Sequence, residues 1–232
     1  NEVYTKFGFK YYIELSTRPE DSMGSDEDWE AATNGLKDAL EKLNLPYTIN
    51  EGDGAFYGPK IDFHLEDSLG RTWQCGTIQL DFQMPLNFGL EYTDEKGEKQ
   101  RPIMIHRVCF GSIERFIGII TEHFAGKFPL WLAPTQVKVL PVSEKTAEYS
   151  EKVYEELRKA GLRCELDNRN EKIGYKIREA QSVDRVPYML ILGAKESEEG
   201  TVSVRNRDTA ETVTMPLSEF LDMATKQNRD RT

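Results

Sequence analysis

Between Lys127 and Thr135 the chain reads KFPLWLAPT, two prolines around a tryptophan, and the hydrophobic pattern differs on its two sides. Before it, short alternating runs are separated by tight polar turns. After it, apolar runs alternate with segments of helical period. A chain of 232 residues that changes pattern once in this way reads as two domains. The boundary is placed near Pro134, giving residues 1–134 and 135–232.

In the first part, Tyr11 to Leu15 reads as a strand and Asp26 to Leu43 as a helix, with Trp29, Leu36, Leu40 and Leu43 on one side. Ser25 is its N-cap, and Pro46 stops it. Residues 55–66 (AFYGPKIDFHLE) and 71–83 (RTWQCGTIQLDFQ) read as two strands joined by a tight turn at Asp67 to Gly70. A polar hairpin tip surrounds Lys96-Gly97. A strand follows over Pro102 to Val108, then a helix over Gly111 to Phe124 with Gly126 just beyond its end. The expected fold is an antiparallel sheet with helices, an α+β arrangement.

The second part alternates strand and helix. Strands are expected at Val137 to Val142, Leu162 to Leu166, Val186 to Leu192 and Thr201 to Arg205. Helices are expected from a Ser143 cap to Ala160, over Glu171 to Gln181, and over Leu217 to Lys226. The unbroken apolarity of Val186 to Leu192 marks a central strand covered on both faces. This is a small α/β unit with a mixed, largely parallel sheet.

Composition narrows the class. Hydrophobic residues make up 38% and charged residues 30%, which fits a globular protein, and no apolar run approaches the roughly 18 to 20 residues a bilayer needs. Three widely spaced cysteines, Cys75, Cys109 and Cys164, do not form a disulfide framework, so a cytoplasmic location is expected. The chain opens on Asn1 with no secretory signal, which points to an N-terminus made by cutting or cloning. The net charge of −10 argues against generic affinity for DNA or RNA. The charge is uneven: residues 1–134 carry 22 acidic and 13 basic side chains, residues 135–232 carry 18 and 17. Within the second part Arg169, Lys172, Lys176, Arg178 and Arg185 cluster, either as an RNA-facing patch or as a solvated helix face.

Two constellations carry chemistry. In IMIHRVCFGSIERF (Ile103 to Phe116) one histidine sits in a strand-like run and one arginine in a helix-like run. Both are costly to bury without a partner, such as a metal for His106 and a polyanion or a carboxylate (Glu66, Asp81 or Glu114) for Arg115. Upstream, Tyr57 and Lys60 flank a Gly-Pro bend, and Gln74, Thr77 and Gln79 lie on one strand. Such a polar row serves either a small polar ligand or ordinary cross-strand hydrogen bonding.

FYGPKIDF, WQCGTIQLDF and IHRVCFGSIERF, in this order and spacing, resemble class II aminoacyl-tRNA synthetases, and the threonyl-tRNA synthetase family in particular. DNRNEKIGYKIREAQ followed by RVPYMLILG resembles the anticodon-binding domain of class IIa synthetases. The resemblance covers essentially the whole chain. It implies the second half of a class II catalytic domain, with the third signature motif, followed by an anticodon-binding domain. By resemblance, Arg115 pairs with ATP phosphate and is the catalytic residue; Gln74 and Thr77 line the ATP side. Tyr57, Lys60, Gln79 and Ser112 lie near threonine, and His106 is a ligand of Zn²⁺. Mg²⁺ accompanies ATP. Asn170, Arg178, Glu196 and Arg205 face the anticodon of threonine tRNA, with Lys172 and Lys176 on phosphates. His64 and His123 match no functional position and read as structural or surface.

The resemblance also implies departures. The family's first two motifs, its editing domain and the cysteine and second histidine that complete the zinc site are expected upstream of Asn1. The intact enzyme is a homodimer, and its threonine specificity uses the zinc to test for a hydroxyl that valine lacks. This polypeptide alone is therefore expected not to activate threonine. The alternatives are a stand-alone tRNA-binding module, and a synthetase of the prolyl, histidyl or glycyl type.

Overall fold

The computed structural model describes residues 2–232, which divide into two compact units, 2–123 and 124–232. In the first unit, helix α1 (Glu2–Phe7) precedes strand β1 (Lys10–Ser16), helix α2 (Asp26–Lys42) and strand β2 (Thr48–Asn50). Strands β3 (Lys60–Glu66) and β4 (Thr72–Asp81) follow, then helix α3 (Gln83–Asn87) and the short hairpin β5 (Tyr92–Thr93) with β6 (Lys99–Gln100). Strand β7 (Met104–Val108) and helix α4 (Ile113–His123) complete it. The main sheet has the order β2-β1-β3-β4-β7, antiparallel except for the β1–β2 pair.

Each strand has one apolar and one polar side. Ile13, Leu15, Ile61, Phe63, Ile78 and Leu80 share the core with Leu36 and Leu40 of α2. Helix α2 starts where the sequence indicates, with Ser25 Oγ accepting from the Asp28 N–H at 3.1 Å. It also ends where expected, but not by Pro46: Leu43 is the C-cap and Asn44 takes a left-handed conformation (φ 51°), so the chain turns before Pro46 is reached. The strand expected from residue 55 begins only at Lys60. Residues 55–58 form a tight loop, and a Cβ on Gly58 would stand 1.8 Å from the Leu80 carbonyl oxygen. Only glycine admits that approach of the loop to β4.

The second unit contains β8 (Val137–Pro141), a 3₁₀ turn (Glu144–Thr146), α5 (Ala147–Lys159), β9 (Cys164–Leu166) and α6 (Ile173–Arg178), which continues as a π-helical turn (Glu179–Val183). Strand β10 (Tyr188–Leu192), helix α7 (Ala194–Glu199), strands β11 (Thr201–Asn206) and β12 (Thr212–Pro216), and helix α8 (Leu217–Asp230) follow. The order is β12-β11-β10-β8-β9, with β10, β8 and β9 parallel and the other pairs antiparallel. The central position of β10 explains its apolar sequence: Tyr188, Leu190 and Leu192 join the main core with Phe220, while Met189 packs with Leu140 and Ala180 on the other face. Ser143 makes no side-chain cap. Thr146 does the local work instead, its hydroxyl donating to the carbonyls of Ser143 and Leu192.

Leu40 is 2% exposed against the first sheet and Leu43, one turn on, is 69% exposed. Leu40→Ala should therefore cost about 2–5 kcal/mol in urea unfolding, and Leu43→Ala under about 0.5 kcal/mol.

Candidate functional site

The polar side of the first sheet gathers Ser16 from β1, Lys60 and Asp62 from β3, Gln74, Thr77, Gln79 and Asp81 from β4, and His106 from β7. Pairing accounts for most of this, since Lys60 stands opposite Gln79, Asp62 opposite Thr77, and Gln79 opposite His106. Gln74 and Thr77 are three residues apart and would point to opposite sides of a regular strand. A bulge reconciles them. Phe63 faces Gly76 but His64 faces Gln74, so Cys75 is the extra residue and Gln74 returns to the polar side.

Asp62 is fully buried at the centre. Its carboxylate accepts from Ser16 Oγ (2.8 Å), Gln74 Nε2 (2.5 Å) and Lys60 Nζ (2.8 Å). Lys60 also reaches Asp53 at 3.1 Å. Burial works to lower the Lys60 pKa, but hydrogen bonds and charge from Asp62 and Asp53 outweigh it and hold the ammonium above the usual 10.5. Tyr57 donates to Gln79 Oε1 at 2.5 Å, and its ring meets that of His106 at 5.6 Å. Burial, then the nearby Asp81 charge, raises the Tyr57 pKa, so it remains a neutral donor. His106 Nε2 lies 2.8 Å from Asp81 Oδ2. The Thr77 hydroxyl is buried and has no hydrogen-bond partner among the described residues, an orphan that a bound polar molecule would satisfy.

Arg115, on the first turn of α4, is exposed. It donates to the Gln74 carbonyl at 2.6 Å and lies over the Trp73 ring at 5.9 Å. Glu114 instead accepts from Ser112 Oγ at 3.0 Å, and Asp81 engages His106. The carboxylate pairing considered for Arg115 is therefore not formed, and the guanidinium stands with no counter-charge among the described residues. Gly111 (φ 64°) makes room for it: a Cβ there would sit 2.9 Å from Arg115 Nη2. Ser112 caps α4, its hydroxyl accepting from the Arg115 N–H at 3.3 Å.

Among the described residues no three His, Cys, Asp or Glu side chains gather as a metal site requires. The donors present fit a single imidazole ligand, His106, backed by a carboxylate. His64 stacks on Tyr12 (4.8 Å, 6°) and lies 3.2 Å from Glu14, and His123 faces the Phe7 carbonyl at 3.0 Å.

In the second unit the basic cluster is only partly a surface patch. Asn170, Lys172 and Arg178 are exposed. Arg169 is locked between Asp167 and Glu179, and Arg185 donates to the Ala125 carbonyl. Lys176, expected on a phosphate, is 3% exposed and donates to the carbonyls of Asp167 and Pro141 at 2.8 and 3.3 Å. An ammonium spent inside the protein cannot meet a phosphate, so that expectation is corrected. Glu196 accepts from the Gly193 N–H (2.8 Å) and Ser203 Oγ (2.7 Å). Arg205 donates to Gln181 Oε1 (3.1 Å) and the Ala210 carbonyl (2.6 Å). Gln181, Ser203 and Asp62 were not singled out from sequence. Asp62 stood in the motif, beside Lys60, but its burial is a property of the assembled sheet.

Residues 1–124 match the family model of the tRNA synthetase class II core domain (G, H, P, S and T). The chain belongs to the class II tRNA synthetase family. Residues 136–227 match the anticodon binding domain. A threonine–tRNA ligase from Clostridioides difficile is 64% identical over 99% of this chain, and one from Caldanaerobacter subterraneus 65% over 97%. The chain spans about a third of these relatives, 36% and 35% of their lengths. The crystal structure of the RNA binding domain of threonyl-tRNA synthetase from Cryptosporidium parvum superposes with a TM-score of 0.91. It is 43% identical, and the match covers 97% of this chain and 57% of that one. The match to the synthetase core thus spans the sheet that carries the polar row and the helix α4 that carries Arg115.

Removing the Asp62 charge strands a nearly buried ammonium. Asp62→Asn should cost about 3–5 kcal/mol in urea unfolding, and the paired Lys60→Met/Asp62→Leu change should restore most of it. Burial pushes the Glu196 carboxyl up, but its bonds from Ser203 and Gly193 hold it below the usual 4.5. Its contribution is present above 4.5 and is lost as pH falls through the folded value. Glu196→Gln should accordingly flatten the acid limb of the stability profile between pH 7 and acid.

Proposed function

We propose that this chain is the C-terminal part of an enzyme that attaches threonine to its tRNA in the cytoplasm. The observation that carries the reading is the polar row ending at a guanidinium with no counter-charge among the described residues, in a chain 64% identical to a threonine–tRNA ligase. In the first step the threonine carboxylate attacks the α-phosphorus of ATP and pyrophosphate leaves. In the second a tRNA ribose hydroxyl attacks the acyl carbon and AMP leaves.

The chain's own groups orient and neutralise. Arg115, with no carboxylate of its own, forks onto ATP phosphate. Gln74 and the orphaned Thr77 hydroxyl line the nucleotide side, while Tyr57, Lys60, Gln79 and Ser112 form the threonine side. Mg²⁺ bound with ATP supplies charge neutralisation of the phosphates. His106 provides one zinc ligand, its partners lying outside this chain; zinc, when bound, supplies a Lewis acid that distinguishes a hydroxyl-bearing amino acid. The intact enzyme is proposed as a homodimer, and this chain alone as incompetent in threonine activation. The identity to threonine–tRNA ligases supports threonine over the proline, histidine or glycine alternatives.

Asn170, Arg178, Glu196 and Arg205 are proposed to read the anticodon, as donors and acceptors for unstacked base edges. In a second reading the chain alone acts as a tRNA-binding module. Its likeness to the Cryptosporidium parvum fragment, an RNA binding domain, favours that reading.

Binding of this chain to threonine tRNA, measured at fixed salt, should weaken when the second or third anticodon base is changed. Arg178→Ala should cost about 1–3 kcal/mol of that binding if it reads a base. Equal, salt-sensitive affinity for every tRNA would overturn the anticodon reading.

A further inference from the structure

Asp81 ends β4 with a fully buried carboxylate whose two oxygens do different jobs. Oδ1 accepts from the N–H groups of Gln83 and Met84, each at 2.9 Å, and so opens α3. Oδ2 is not needed for that cap. It lies 2.8 Å from His106 Nε2 on the neighbouring strand. The ladder sets this approach, since Gln79 stands opposite His106 and Asp81 opposite Met104, making Asp81 and His106 diagonal neighbours on the polar side.

A carboxylate has only acceptors to offer, so the imidazole nitrogen facing it carries the hydrogen. The lone pair is then left on Nδ1. No group among the described residues bonds to Nδ1, and 37% of the side-chain surface is open. Tyr57, donating to Gln79 and edge-on to the imidazole, limits rotation of the ring from its other side.

We propose that Asp81 is a positioning residue that locks His106 in the Nε2–H tautomer and thereby presents Nδ1 as the atom that meets the metal. The inference rests on the reading of His106 as a zinc ligand and adds which nitrogen binds and what aims it. A ligating histidine held by a carboxylate through its other nitrogen is both oriented and made more basic. A simple helix cap would not need Oδ2, and serine or asparagine would serve it equally well.

The test uses this chain labelled with ¹⁵N-histidine, observed by long-range ¹H–¹⁵N correlation about two units above the ordinary imidazole pKa of about 6.5. Its three histidines give three ring patterns. His123, whose Nε2 faces the Phe7 carbonyl at 3.0 Å, is an internal standard for the Nε2–H form. His106 should show the same pattern as one fixed tautomer. In Asp81→Asn the amide keeps an oxygen for the α3 N–H groups and turns its NH₂ to the ring, so the two nitrogen resonances should exchange character. Backbone spectra and the unchanged His123 pattern report that the variant is folded. If it does not fold, the wild-type pattern and Asp81→Ser, in which the lock is lost and the tautomers mix, decide instead. A wild-type His106 that is Nδ1–H, or a rapid mixture of tautomers, overturns the proposal, as does a folded Asp81→Asn with an unchanged pattern.

Zinc titration tests the reading beneath it. The Nδ1 resonance should shift, with the midpoint at about 10- to 100-fold higher zinc in Asp81→Asn. A shift centred on Nε2 overturns the proposal. Because the other ligands lie outside this chain, the His106 midpoint is read against the chain's other histidines: a locked tautomer whose Nδ1 shifts at no lower zinc than the ring nitrogens of His64 counts against His106 as a metal ligand, while leaving the hold of Asp81 on the ring established.

Discussion

The first unit is organised around one buried carboxylate. Asp62 ties β1 through Ser16, its own strand through Lys60, and β4 through Gln74. Each partner donates, so the charge is satisfied from three directions in a place where water does not reach it. The same three bonds fix Lys60 and Gln74. The geometry of the polar row is therefore set by the interior of the sheet rather than by the loops around it.

That arrangement lets one set of strands serve two purposes. On one side, alternate residues bury against α2. On the other, the remaining alternate residues present hydroxyls, amides and an imidazole. The second unit divides its sheet differently, burying both faces and leaving its chemistry to strand ends and to the exposed parts of α6. A half-exposed antiparallel sheet and a covered mixed one, with two parallel and two antiparallel pairs, follow the same rule that strand neighbours dictate which faces can be wet.

Much of this was legible in the sequence because period carries burial. Eight of the ten strands of the two five-stranded sheets, the Ser25 cap and the central placement of β10 follow from alternation, capping chemistry and an apolar run. The short elements α1, β2, α3, α7 and β12 were not read, since each is too brief to show a period and is held by tertiary contacts. At the site, the motif supplied Arg115, His106 and the polar row, but spacing alone misassigns Gln74: without the Cys75 bulge it lies on the wrong face. Lys176 failed for a related reason, because a lysine beside surface arginines reads as surface until the carbonyls of Pro141 and Asp167 are found around its ammonium. Asp81 reads in the sequence as a possible partner of Arg115 and engages His106 instead, because the diagonal placement of the two on β4 and β7 is a property of the assembled sheet.

The ends of the first unit are tied to each other. The Tyr4 hydroxyl donates to the Cys109 carbonyl across 105 residues at 2.6 Å, and His123 reaches Phe7 across 116. During synthesis, α1 meets Phe9 and Tyr11 at once but lacks the rest of its native cover until β7 and α4 have left the ribosome. Closure of this unit is thus a late, non-local event, and its rate is governed by the slow search that high contact order imposes.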